Sequence, residues 1–225
     1  MNERFIREIG LFGEEGVSKL KAAKVVVIGC GGVGSYAVEA LARAGIGALT
    51  VIDGDTVSES NINRQLIALG STVGQNKAEL EKARILDINP DCAVTAVCEF
   101  ITPGNCASLI GVPDFVIDAC DDTEAKLALI SYCTSLSIPV VSSMGTGNRL
   151  DPTKFEITDI SKTEGDPLAR SIRKKLREMG INHLPVLFSR EIPAVRAVPP
   201  ASVSFVPPVA GMILGGYVIR KIAGV

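Results

Sequence analysis

Apolar residues in this chain gather into short unbroken runs separated by longer, helix-periodic stretches. V-V-V-I at 25–28 and L-T-V-I at 49–52 are each bounded by Gly or Asp. Runs of this length predict strands buried on both faces. The pattern predicts strands at 24–29, 48–53, 93–99, 114–119 and 138–143. Helices are expected at 13–22, 33–44, 60–68, 73–89 and 123–136. Strand and helix thus alternate through the first two thirds, which argues an α/β fold: a doubly wound, mainly parallel sheet with helices on both faces. From Asp151 the pattern changes to a C-terminal extension of mixed strands and helices. It reads as a short strand at 155–160, a polar helix, and a proline-rich connection (Pro185, Pro193, Pro199, Pro200). A strand at 202–206 and a helix at 208–223 complete the chain.

Composition adjusts this picture little. A chain of 225 residues suits a single domain, 1–225, with a core at about 13–150 and a distinct part at about 151–225. Hydrophobic residues make up 47% and aromatics 4%, as an aliphatic, sheet-centred core requires. The formal net charge of −2 gives no global attraction to nucleic acid or anionic membrane, so any polyanion must be held by a local patch. The polar amino terminus and the absence of a spanning run point to a cytoplasmic protein. The 6 cysteines contain no C-x-x-C pair and none lies beyond Cys133, which argues for reduced core residues over zinc ligands or disulfides.

The chemistry concentrates between residues 29 and 77. G-C-G-G-V-G at 29–34 follows the first predicted strand and opens a helix, which aims backbone N–H groups and a positive helix end at an anion. Gly29 permits the tight turn, Gly31 and Gly32 admit phosphate close to the backbone, and Gly34 lets the helix pack on the sheet. Asp53, at the end of the second predicted strand, is placed to accept hydrogen bonds from ribose hydroxyls. These two features fit any dinucleotide enzyme. S-N-I-N-R-Q at 60–65 and G-Q-N-K at 74–77 add an arginine and a lysine spaced to converge on polyphosphate, which argues for a triphosphate.

Together G-C-G-G-V-G, D-G-D-T-V, S-N-I-N-R-Q, V-G-Q-N-K and D-A-C-D-D resemble the adenylation domain shared by ubiquitin-activating enzymes and the bacterial sulfur-carrier adenylyltransferases of the ThiF and MoeB type. The resemblance runs over residues 4–144 and implies a Rossmann-like adenylation domain that joins ATP to a carboxylate and releases pyrophosphate. It implies ribose binding by Asp53 with Asp55 beside it, phosphate binding by Asn61, Arg64 and Lys77, and a magnesium ion on Asp121. It also implies a homodimer in which Arg7, from R-F-I-R-E, reaches the partner's ATP. Catalysis would then rest on Arg64, Lys77, Asp121 and Arg7.

The carboxylate is suggested by a second resemblance. V-S-S-M-G-T-G-N-R-L-D-P-T-K-F-E-I-T-D-I-S-K-T-E-G-D-P-L-A-R and S-V-S-F-V-P-P-V-A-G are similar to the tRNA threonylcarbamoyladenosine dehydratases, which cyclise a modified adenosine beside the anticodon. This implies a tRNA substrate facing the part 151–225. The residues accord with it: between 162 and 196 stand 8 basic and 4 acidic residues, in a chain of net charge −2. Arg170, Arg173, Lys174 and Arg177 share one face of the predicted polar helix, spaced for tRNA phosphates. On the residues alone that stripe reads equally as a solvated helix face. Two alternatives stand beside the dehydratase: an adenylyltransferase acting on the C-terminal glycine of a ubiquitin-like sulfur carrier, and a non-catalytic NAD-binding module. A monovalent cation in the 145–148 loop, and a cysteine desulfurase or sulfur-acceptor system as partner, are left open by the sequence.

Overall fold

A computed structural model describes residues 3–225. Its strands are β1 (Lys24–Ile28), β2 (Ala48–Ile52), β3 (Ala93–Val97), β4 (Phe115–Asp118), β5 (Val140–Ser143), β6 (Phe155–Asp159) and β7 (Pro185–Ser189). They make one sheet in the order β3-β2-β1-β4-β5-β7-β6, parallel throughout except for β6 at the edge. The helices are α1 (Ile6–Ala22), α2 (Gly34–Arg43), α3 (Lys77–Ile88), α4 (Cys106–Ile110), α5 (Thr123–Ser135), α6 (Pro167–Glu178) and α7 (Val206–Ala223).

The apolar runs are explained by two cores, one on each face. Val25 and Val27 of β1 pack with α1, α2, α3 and α7, while Val26 and Ile28 pack with α4, α5 and α6. Successive side chains of a strand point to opposite faces, so a strand covered twice must be apolar at every position. One helix contact is unusually close. A Cβ on Gly211 of α7 would lie 2.1 Å from the Val33 carbonyl oxygen, and one on Gly215 would lie 2.7 Å from the Ala40 Cβ. These two glycines let α7 seat directly against α2.

The chain winds outward from β1 through β2 to β3, then crosses back to place β4 on the other side of β1. The crevice at the carboxyl ends of β1 and β4 is the switch point where open α/β sheets bind ligands.

Four expectations change. No helix forms at 60–68; only a 3₁₀ turn, Glu59–Asn61, is present. The Asn61 Oδ1 accepts from the Ser58 N–H at 3.1 Å, and the Leu66 N–H turns to the Ser35 hydroxyl, so the helical ladder is not continued. α3 starts at Lys77, because Asn76 bridges to Thr56 as an isolated strand pair and Gly74 holds a positive φ of 86°. The proline-rich connection contains β7, a strand between β5 and β6. Pro185 stands at its first residue, where a missing N–H is tolerated. Conversely, 202–206 is not a strand but the approach to α7. Among the described residues no helix is long and apolar enough to cross a membrane.

Candidate active site

The glycine turn after β1 is held by contacts that exclude side chains. Gly29 has φ 89°, and a Cβ there would lie 2.7 Å from the Ala119 carbonyl oxygen in the turn after β4. A Cβ on Gly34 would lie 1.7 Å from the Gly29 carbonyl oxygen, so Gly34 serves closure of the turn itself. The same contacts, with the Ala119 Cβ at 3.3 Å, seat the start of α2 against the ends of β1 and β4, the close packing of helix on sheet expected of Gly34. Gly31 meets only the Gln65 Nε2, 3.7 Å from its ideal Cβ, which leaves its backbone approachable. Gly32 is flanked by the Arg64 stem and Pro207. The Ser35 hydroxyl bonds the Gly31 carbonyl at 2.7 Å and locks the entry to α2.

Asp53 follows β2 and faces this turn. Its Oδ2 accepts from the Cys30 N–H at 2.6 Å and its Oδ1 from the Asp55 N–H at 2.8 Å. Burial pushes its carboxyl above the ordinary range, while those two N–H groups and the Lys77 charge pull the other way. Lys77, 5% exposed at the first turn of α3, donates to the Asp55 Oδ2 at 2.9 Å. The Lys77 ammonium is therefore drawn to the mouth of the crevice by a half-exposed carboxylate. Arg64 donates to the Ser60 carbonyl and the Asn63 Oδ1, both at 2.8 Å, and among the described residues enters no ion pair with a carboxylate. Its guanidinium charge is unneutralised beside the glycine turn. Asn61 is buried, with its Oδ1 spent on the Ser58 cap.

On the other side of the crevice stands the turn after β4. Asp122 caps α5 by accepting from the Ala125 N–H at 2.7 Å, whereas Asp121 is exposed. Of the adjacent pair, Asp121 is the one whose carboxylate is not spent on a cap. Beneath them lies a network that the sequence reading did not anticipate. Lys126 and Asp118, both 0% exposed, meet at 2.8 Å, and Lys126 also bonds the Ser143 carbonyl at 2.9 Å. The Ser142 hydroxyl and the Cys120 thiol donate to the same Asp118 carboxylate. Desolvation holds the half-buried Cys120 thiol, beside Asp118, far above its ordinary range, which suits a filler and not a nucleophile. The one signal for Lys126 was a lysine four residues past Asp122, on the inward face of a helix.

Gln65 was also missed. It is 7% exposed, its Oε1 is buried without a partner, and it sits against Gly31. A buried carbonyl oxygen left open beside a phosphate-type turn marks a place for a donor.

Arg7 is exposed near the start of α1 and is not brought to this glycine turn. The adjacent residues anchor elsewhere: Arg4 donates to the Ile88 carbonyl at the end of α3, and the Phe5 ring lies on Gly45 between α2 and β2. Both anchors are at the amino ends of the strands, opposite the crevice.

α6 is the polar helix expected in the C-terminal part. Asp166 caps it through the Ala169 N–H at 3.0 Å, and Ala169, Ile172 and Leu176 are buried. Arg170, Lys174 and Arg177 are exposed on its outer face. Arg173 is not one of them: its Nη1 is bound to the Thr163 carbonyl at 2.7 Å and the Thr163 hydroxyl at 2.6 Å. It is a half-buried anchor, so the exposed basic stripe has three members of the expected four, with Lys174 lying 4.0 Å from the Glu178 carboxylate. The helix is tied to the 145–149 loop by a buried ion pair, Arg149 to Asp166 at 3.1 Å, with a further bond from Arg149 to the Gly145 carbonyl. Asn148 in turn pins the 194–201 segment, accepting from the Ala201 N–H at 2.8 Å.

A glycine turn at a switch point, an acid at the end of the next strand and two converging cations define a nucleotide-binding domain of the doubly wound α/β class. The chain belongs to the ThiF family, whose model matches residues 4–224. It is 45% identical over 242 aligned positions to a tRNA threonylcarbamoyladenosine dehydratase of Bacillus subtilis (strain 168), covering 99% of this chain and 95% of that relative. The crystal structure of the Escherichia coli tRNA N6-threonylcarbamoyladenosine dehydratase in complex with ATP superposes with a TM-score of 0.93 at 39% identity, covering 99% of this chain and 94% of that one. The same protein in complex with AMP gives a TM-score of 0.94. A molybdopterin-synthase adenylyltransferase of Escherichia coli (strain K12) is more distant, 35% identical over 78% of this chain.

Proposed function

We propose that this chain is an AMP-forming, ATP-dependent tRNA threonylcarbamoyladenosine dehydratase. The observation that carries the reading is the likeness to the Bacillus dehydratase over nearly the whole of both chains, the basic C-terminal part included. The residues of the crevice fit ATP. Three glycine positions give the phosphates a backbone floor, α2 points its amino end at them, and Asp53 awaits a ribose. Arg64 and Lys77 supply charge where the β- and γ-phosphates would lie, which a dinucleotide would not use.

The threonyl carboxylate of the modified adenosine attacks the α-phosphate, pyrophosphate leaves, and the resulting anhydride is attacked from within the same side chain. Cyclisation removes one water overall, with AMP as the second product. Lys77 exchanges its Asp55 partner for phosphate, and Arg64 turns from neutral acceptors to the same charge. Offsetting charge that develops in the transition state is the electrostatic contribution that usually dominates such chemistry. Magnesium, when bound, would be held by Asp121 and would shield the negative charge of the phosphates. Ring closure is intramolecular and needs no enzyme thiol, in keeping with a Cys120 thiol pushed far from ionising.

Two quaternary features belong to this reading. The protein acts as a homodimer in which Arg7, exposed near the start of α1, reaches the partner's nucleotide. The tRNA docks on Arg170, Lys174 and Arg177. The setting is cytoplasmic. ATP–pyrophosphate exchange tests the reading: it should depend on tRNA that carries the modification. Exchange driven instead by a sulfur-carrier protein would make the chain an adenylyltransferase, and tighter binding of NAD than of ATP would end the adenylation reading.

A further inference from the structure

Glu81 stands one turn past Lys77 on the inward face of α3, among Ala78 and Ile85, where an aliphatic side chain would be expected. It is 0% exposed, and both carboxylate oxygens are buried without a hydrogen-bond partner. Among the described residues no other carboxylate has both oxygens in that state. A bare carboxylate in such a place would be very costly, so the group keeps its proton.

The surroundings reinforce this. From α2, Glu39 faces it, and from the end of β2, Asp53, both adding like charge. Arg84, on α3 itself, is the opposing cation, but its guanidinium is already clamped on Glu39 at 2.6 Å and 2.8 Å. Cys30, in the glycine turn, is a neutral thiol close enough to feel any Glu81 charge. β3, the remaining strand packed on α3, carries no titratable side chain. Burial is the largest of these influences, and it moves the Glu81 carboxyl well above the usual carboxylate range.

Asp53 and Glu81 therefore form a neighbouring pair with divided roles. Asp53 has two N–H donors and the Lys77 charge acting against the burial that raises its carboxyl, and Glu81 has none of these. We propose that Glu81 is a positioning residue of the nucleotide site that works as a neutral carboxylic acid: by carrying its proton it leaves Asp53 to be the anion that grips the ribose, and losing that proton in alkali puts a second negative charge beneath the glycine turn and expels the polyphosphate. This rests on the ATP reading above, and Glu81 itself touches no nucleotide.

The test compares Glu81→Gln, which mimics the neutral acid, with the parent. ATP affinity in the presence of magnesium is measured by calorimetry from neutral to alkaline pH. Two like charges about 10 Å apart at an effective dielectric of about 20 repel enough to cost about tenfold in affinity. The parent should lose about that much through an alkaline limb that Glu81→Gln lacks, with other alkaline titrations common to both proteins. A second readout needs no nucleotide. In the unfolded chain a glutamate ionises near about 4.3. Above that pH, and below the raised value in the fold, only the unfolded state has given up the proton, so stability falls across that window. The Tm advantage of Glu81→Gln should thus be small near about pH 4 and wider near about pH 8. If glutamine does not fold, Glu81→Met provides the same comparison. Superimposed affinity curves, or a Tm difference independent of pH, would overturn the proposal. A parent that binds no ATP at any pH would instead sink the ATP reading, with the Tm comparison still deciding the state of Glu81.

Discussion

At the scale of single residues, the site divides into charges held ready and charges already neutralised. Arg64 is ready, because its partners are a carbonyl and an amide oxygen. Lys77 is available for exchange, because its partner Asp55 is half exposed although Lys77 itself is buried. Lys77→Ala and Arg64→Ala should therefore each slow AMP formation by roughly a hundredfold or more, about 3–4 kcal/mol of transition-state stabilisation, while thermal unfolding shifts little. Near-parental rates in either variant would reduce that residue to surface charge. Cys120→Ala should keep turnover measurable, as a thiol pushed this far from ionising offers no nucleophile. Loss of turnover in the folded variant would revive a covalent step. Arg64 and Lys77, proposed to meet the phosphates, could be named from the sequence because each sits in a motif whose spacing such chemistry dictates. Lys126, Gln65 and Glu81 were not, since they lie under the site and only three-dimensional packing reveals what surrounds them.

At the scale of elements, sequence patterns worked where one face or one cap set the structure. The bounds of α6 follow from Asp166, Pro167 and the apolar spacing of Ile172 and Leu176. They failed where local chemistry competed: β7 was hidden by its leading Pro185, and V-S-F at 203–205 mimics strand alternation while leading into α7. Arg173 shows the same limit, for it shares the helical face of Arg170 and Arg177 yet is bound to Thr163. The three exposed cations and the anchor can be separated. Reversing Lys174 and Arg177 to glutamate should weaken tRNA binding by well over tenfold and flatten its salt dependence by roughly one unit per lost contact. ATP affinity should be unchanged. Arg173→Ala should instead lower stability by about 1.5–3 kcal/mol, the range for hydrogen bonds to a charged group. Parental tRNA affinity and salt slope in the double variant would make α6 a solvated face. In the other half of the molecule, Gly211→Ala forces a methyl onto the Val33 carbonyl, and denaturant titration should show a loss of about 1–3 kcal/mol.

At the scale of the whole molecule, the nucleotide crevice and the basic helix belong to one continuous sheet, joined through the Arg149–Asp166 pair. The doubly wound plan was readable from alternation alone. The insertion of β7 inside the sheet, which brings the C-terminal part beside β5, was not. Arg7, far from its own crevice, gives the dimer a direct test. Mixing inactive Arg7→Ala with inactive Lys77→Ala should restore part of the activity, because each mixed dimer regains one intact site. No rescue despite proven subunit exchange would remove Arg7 from catalysis. The central claim, that this chain closes a ring on transfer RNA at the expense of ATP, is tested most directly by incubating the protein with ATP, magnesium and threonylcarbamoyladenosine-bearing tRNA and measuring AMP and the digested nucleosides by mass spectrometry. The account predicts one AMP per modified nucleoside made lighter by one water, with neither product from unmodified tRNA. AMP formation that leaves the nucleoside mass unchanged, or that needs no modified tRNA, would contradict it.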